Sequence, residues 1–146
     1  MIKEELMQDL KAAMKEKDSV KKDTVTMLRA AILQVEKDKQ ITLEDDAILE
    51  IVAKEVKKRK ESRQEYISAD RTDIVEKLDR EIEILSKYLP KQLTISEIEE
   101  LVKIAIQEEG ATSPKDMGKV MKNIKPKVAA KADGKLVSEI VKKLLA

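Results

Sequence analysis

The chain has 146 residues, enough for one good hydrophobic core or two small ones. It contains no Phe, Trp, Cys or His, which excludes disulfide staples, zinc-thiolate sites and nucleophile-base pairs of the Ser-His or Cys-His type. Its net charge of +1 hides an asymmetry: residues 1–90 carry −2, residues 91–113 carry −3, and residues 114–146 carry nine basic and three acidic side chains.

Three glycines and three prolines are too few turn residues for an all-β sandwich or barrel, and a core of Leu, Ile, Val, Met and Ala suits helices. Ile2, Leu6, Leu10, Ala13 and Met14 recur at helical spacing and predict a first helix that stops near Asp18 and Ser19. Those two residues are good caps for a second helix with its stripe at Val20, Thr24, Met27, Leu28, Ala31, Ile32 and Val35. Thr42 with Asp45 resembles a capping box, and Glu44, Asp45 and Asp46 load the first turn of a third helix with charge favoured by the helix dipole. Its stripe runs Leu43, Ile48, Ile51, Val52 and Val56. The stretch from Lys57 to Glu65 is polar throughout, so that half is expected to project into solvent. Asp70 is the expected cap of a fourth helix carrying Ile74, Val75, Leu78, Ile82, Leu85 and Leu89, ended by Pro90. The third and fourth helices are expected to form a long hairpin.

Residues 90–94 form the one natural linker, which divides the chain into 1–90 and 91–146. A fifth helix capped by Thr94 or Ser96 carries Ile98, Leu101, Val102, Ala105 and Ile106 and ends at Gly110. Ser113 and Pro114 restart a sixth, with Met117, Val120, Met121 and Ile124, expected to stop before Pro126. Asp133 and Gly134 open a seventh with Leu136, Val137, Ile140, Val141, Leu144 and Leu145. The expected fold is all-α: about four helices with a long hairpin, then a three-helix bundle.

The amphipathic, charged N-terminal segment lacks an apolar stretch of signal-peptide length, and no run approaches membrane-spanning length. The resulting expectation is a soluble cytosolic protein with no membrane partner. Gly110, Gly118 and Gly134 are isolated, so no glycine-rich loop is available to cradle nucleotide phosphates. The acids at Glu44, Asp45 and Asp46 and the pair Asp70 and Asp73 are the remaining candidates for carboxylate or magnesium chemistry. Capping of helix N-termini explains them better. Tyr66 and Tyr88 are read as packing residues. No catalytic residue, metal ligand or cofactor is expected.

The C-terminal lysines have a defined geometry. Projection at about 100° per residue places Lys115, Lys119 and Lys122 within about 60° of one another, with Lys125 just outside. Met117, Val120, Met121 and Ile124 lie opposite. Lys127, Lys131 and Lys135 continue the charge. Without interleaved aromatics or arginines, such a surface fits phosphate and shape contacts with RNA rather than base reading, although a solvated amphipathic helix presents the same pattern.

Several segments resemble one family. YLPKQL at 88–93, MGKVM at 117–121, KPKV at 125–128 and KADGKLVSEIVKKLL at 131–145 are similar to the YqeY proteins of the GatB/YqeY group, as is LRAAI at 28–32 with the acid at Glu36. Residues from about 92 onward resemble the tail domain of the tRNA-dependent amidotransferase B subunit. The resemblance implies a helical fold and a tail that helps hold tRNA. It also implies that amide transfer and ammonia generation belong to other domains and subunits, so a carbon-nitrogen ligase label with glutamine as donor would be inherited from that complex. The matching positions are Gly118, Lys119, Lys127, Asp133, Gly134 and Lys135, of which Lys119, Lys127 and Lys135 are the best candidates for RNA contact. Lys122 and Ala130 depart from the family pattern, in which glycine is frequent there. The competing expectations are a tRNA-binding protein associated with amidotransferase or another translation factor, a helical protein-interaction adaptor, and an amidotransferase-like enzyme.

Overall fold

The computed structural model describes all of residues 1–146 and contains seven α-helices, one short 3₁₀ turn and no strand. The fold is all-α. The chain forms two compact units, Met1–Leu89 and Pro90–Ala146, each with its own apolar core.

The first unit comprises α1 (Ile2–Glu16), α2 (Ser19–Lys39), α3 (Asp45–Ser68) and α4 (Thr72–Ser86). Lys17 adopts a left-handed conformation that ends α1, and the Asp18 carboxylate accepts the Lys21 N–H at 3.1 Å to open α2. Two helices therefore turn back on each other within two residues. Leu6, Val25, Leu28, Ile48, Val52, Ile84 and Leu85 fill the core between the four helices. Val25, absent from the expected stripe, is buried, whereas Met14 is exposed. Thr24 is the single buried polar side chain, and its hydroxyl donates to the Val20 carbonyl at 2.7 Å, which removes the cost of burying it.

The link from α2 to α3 is held by Glu36. Its carboxylate accepts from Lys3 Nζ at 2.7 Å and from the Leu43 N–H at 2.8 Å, and the lysine first, then the backbone bond, hold the Glu36 carboxyl below the ordinary range. The expected capping box of Thr42 and Asp45 does not form: Glu44 occupies the cap position without a side-chain bond. Asp45 instead accepts the Ile2 N–H at 3.2 Å, serving a free donor at the start of α1.

α3 and α4 form the expected hairpin, and no residue from 57 to 83 is fully buried. Ion pairs stitch it. Arg59, only 15% exposed, holds Glu55 at 2.8 Å and Glu81 at 3.2 Å, and Arg63 pairs with Asp79 further out. Asp70 does not cap α4. It lies in the left-handed region at φ 56°, where it closes the turn, and Arg71 takes the cap position. α4 also ends at Ser86, before the residues that Pro90 was expected to terminate. Tight turns through Leu89 replace its last helical turn. The Tyr88 hydroxyl donates to the Asp9 carboxylate of α1, and burial together with that bond raises its pKa above the ordinary tyrosine value.

The second unit comprises α5 (Ile95–Glu109), a 3₁₀ turn (Pro114–Asp116), α6 (Met117–Val128) and α7 (Gly134–Leu145). Thr94 caps α5, accepting the Glu97 N–H at 3.1 Å, and Gly110 supplies the left-handed stop at φ 62°. Ile98, Val102, Val120, Ile124, Val137 and Val141 meet in the centre. Ser113 makes no capping bond; Asp116 instead accepts the Thr112 N–H at 3.0 Å. The restart after Pro114 is a 3₁₀ turn before it becomes α6.

α6 does not stop before Pro126 but runs through it to Val128. A proline there removes the hydrogen bond to the Lys122 carbonyl and sets its ring against that carbonyl. Continuing the helix places Val128 in the core of the second unit, 6% exposed.

Candidate nucleic-acid interface

Lys115, Lys119, Lys122, Lys125, Lys127, Lys131 and Lys135 are all exposed, but they do not share one surface. Projected on α6 at about 100° per residue, Lys122 lies opposite the buried row Val120, Ile124 and Val128, with Lys119 and Lys125 about 60° to either side. The ion pairs of this unit are Lys103 with Glu100 and Lys127 with Glu108. None engages Lys115, Lys119, Lys122 or Lys125. Their charge is uncompensated by any side-chain carboxylate within 4 Å.

Lys127 belongs elsewhere. It sits on the flank that faces α5, donating to Asn123 Oδ1 at 3.2 Å and pairing with Glu108 at 3.7 Å. Asn123 in turn donates to Glu108 at 3.2 Å and Glu109 at 3.0 Å. This acidic flank borders the lysine face. Lys115 precedes α6 in the 3₁₀ turn, so the helical projection that grouped it with Lys119 does not hold for it. Lys131 lies in the turn after α6 and Lys135 in the first turn of α7.

The motif glycines need no special backbone. Gly118 and Gly134 have ordinary φ values, and an added Cβ would meet nothing within 4 Å at either. Gly118 projects between Lys122 and Lys125 and leaves backbone bare among the cations. Asp133 caps α7 by accepting the Lys135 N–H at 3.2 Å. Between α6 and α7, beside Lys122 and Lys125, runs an apolar groove of about 500 Å³ lined by Met121, Ile124, Val128 and Val137.

Two residues escaped the sequence reading. Gln92 donates to the Ala130 carbonyl at 2.8 Å and to the Pro90 carbonyl at 2.9 Å, while the Leu93 N–H bonds the Lys131 carbonyl at 2.9 Å. The segment after Pro90 thus pins the turn that carries Lys131. Its only sequence signal is membership of the YLPKQL segment. Ala130 stands in that turn at φ 61°.

The acids considered for chemistry do not converge. Asp45 serves the backbone of α1, Asp73 pairs with Arg71 at 3.3 Å, and no group of three or more carboxylates is placed to hold a metal ion.

Fold and surface together define an all-helical protein of two compact units whose second unit presents a basic helix face. Residues 3–145 match the family model described as Yqey-like protein, and the chain belongs to that family. It is 34% identical over 142 residues to "Altered inheritance of mitochondria protein 41, mitochondrial" of Pyrenophora tritici-repentis, an alignment covering 93% of this chain and 78% of that protein. Proteins of the same name from Candida glabrata and Lachancea thermotolerans are each 37% identical, over 66% and 64% of this chain respectively. Those two matches span about half of each relative's own length, 53% and 51%.

These names overturn the expectation of a cytosolic protein, since the relatives are designated mitochondrial. The expectation rested on the lack of an apolar signal-length segment. Mitochondrial transit peptides are amphipathic and basic rather than apolar, so that criterion cannot separate the two compartments. No helix of the chain is long and apolar enough to cross a membrane.

Proposed function

We propose that this member of the family is a non-catalytic tRNA-binding protein that works beside an amidotransferase or another translation factor. The observation that carries the reading is the uncompensated lysine face of Lys119, Lys122 and Lys125 on α6, with Lys115, also unpaired, in the turn that precedes it. Several unpaired cations on one rigid face, with bare backbone at Gly118 between them, suit the closely spaced phosphates of a folded RNA. Lys131 and Lys135 extend the same charge along the chain. The absence of aromatic and arginine side chains here favours phosphate and shape recognition over base reading. The reading assigns no bond-making step to this chain, and glutamine-dependent amidation of tRNA by the purified protein alone would overturn it.

Filter binding with bulk tRNA across a salt series tests it. Four phosphate contacts on duplex give a log-log slope of roughly −3.6. Simultaneous replacement of Lys119, Lys122 and Lys125 by Glu should abolish binding, whereas Lys127→Glu should change it little. Binding indifferent to salt and to the triple substitution would refute the proposal.

A further inference from the structure

The chain has five arginines, Arg29, Arg59, Arg63, Arg71 and Arg80. Four of them grip carboxylates: Arg59 holds Glu55 and Glu81, Arg63 holds Asp79, Arg71 holds Asp73, and Arg80 holds Asp18 and Glu83. Arg29 grips none. It is half-buried on α2, in the LRAAI segment, and borders a groove of 160 Å³ between α1 and α2. Buried Leu6 and Ile32 form the floor; Met7 and Leu33 stand at the sides, 38% and 60% exposed. The ion pair of Lys3 with Glu36 closes one end and neutralises itself, so Arg29 is the only uncompensated charge at the groove.

Size and charge together select the occupant. Sites for small molecules start at about 300 Å³, so this groove has room for one large side chain rather than a whole ligand. An arginine fork is matched to a carboxylate, and a shallow apolar channel between two helices is the usual seat of an amphipathic helix. Methionine at its side adapts to differently shaped anchors. The geometry points to a docking site for a partner protein's amphipathic helix, which seats one Leu- or Met-sized side chain between Met7 and Leu33 and sets an acidic side chain on Arg29. The site lies on the first unit and does not depend on the tRNA reading.

The test uses the full chain and a panel of fluorescein-labelled 18-residue helical peptides with a leucine stripe, in which one Glu is moved along the helix, each paired with a Glu-to-Lys counterpart. Fluorescence anisotropy should find a Glu peptide that binds at least tenfold tighter than its Lys counterpart, and Arg29→Glu should reverse that preference. Methyl NMR signals of Met7 and Leu33 should shift on binding. The proposal is overturned if no peptide in the panel prefers Glu, if the preference survives Arg29→Glu, or if the shifted methyls lie elsewhere. Sedimentation showing a dimer that Leu33→Lys dissociates would overturn it too, by giving the groove to a second copy of the chain.

Discussion

At the scale of single residues, backbone conformation explains a position that sequence comparison left ambiguous. Ala130 is one of four non-glycine residues with positive φ, with Lys17, Gln40 and Asp70. A Cβ in the left-handed region crowds the neighbouring carbonyl, at a cost of about 1–2 kcal/mol that glycine avoids. Glycine at this place is therefore understandable without any close approach of RNA. Ala130→Gly is expected to raise the unfolding free energy by about 0.5–1 kcal/mol after the added chain entropy of glycine is deducted, which urea denaturation will measure.

The carboxylates of the first unit predict its acid response. Glu36 is held low by Lys3 and then by the Leu43 N–H, and Asp18 is held low chiefly by the Lys21 N–H, with Arg80 contributing. Because the folded values lie below the unfolded ones, this stability is fully present above the ordinary carboxylate values of 4.5 and 3.8 and is lost as pH falls through the lowered ones. The urea midpoint should decline below about pH 4.5, and decline less steeply in Glu36→Gln. An identical pH profile for that variant would show that Glu36 does not contribute.

At the scale of elements, the hairpin of α3 and α4 shows how a polar helix end is held. With no fully buried residue between 57 and 83, its outer half lacks a core to order it and relies on Arg59 and Arg63. Arg59→Ala leaves Glu55 and Glu81 facing each other, each about one-sixth exposed (15% and 17%). Amide exchange in the distal hairpin should then accelerate at least tenfold, with the amides of Val25, Leu28 and Ile32 unchanged. The projecting hairpin was legible because nine consecutive polar residues cannot face a core. The partners of Arg59 and Arg63 were not legible, since acids occur throughout α4 and only the hairpin register selects Glu81 and Asp79.

Helix ends divide in the same way. Gly110, Asp18, Thr94 and Asp133 act as local chemistry predicts, because their caps involve neighbours two to four residues away. Asp45, Asp70 and Pro126 do not. Asp45 is taken by the start of α1, Asp70 by the tightness of the hairpin turn, and the helix around Pro126 is carried on by the burial of Val128. Asp45 and Pro126 are competitions between a local preference and packing with another segment, which wins, whereas Asp70 yields to the turn itself, where the Arg71 N–H bonds the Tyr66 carbonyl at 3.0 Å.

At the scale of the whole molecule, charge is segregated from the first unit, where acids and bases interleave and pair, to a second unit with a one-sided basic helix. If that helix receives tRNA, amide exchange in the complex should slow across residues 115–125 and remain unaltered across 57–65. Protection confined to the hairpin would instead favour an adaptor role for the first unit. Leu28→Ala in the first core and Ile124→Ala in the second should each cost about 2–5 kcal/mol. Only the second should impair tRNA retention under conditions where the variants stay folded at low temperature.

Helical periodicity, the dearth of glycine and proline, and the absence of histidine and cysteine determined by themselves that the fold is helical and which familiar chemistries are excluded. The segments after Tyr88 pointed to the family, and the lysine count after Ser113 located the basic charge. Only tertiary structure decided which lysines are paired: Lys127 is held by Glu108 and Asn123, whereas Lys119, Lys122 and Lys125 have no carboxylate within 4 Å. It also decided that Arg29, alone among the arginines, lacks a carboxylate. The physical reason is common to both. Periodicity places a side chain on a face of its own helix, but pairing depends on what another helix brings to within 4 Å, and that is set by packing between segments far apart in the chain.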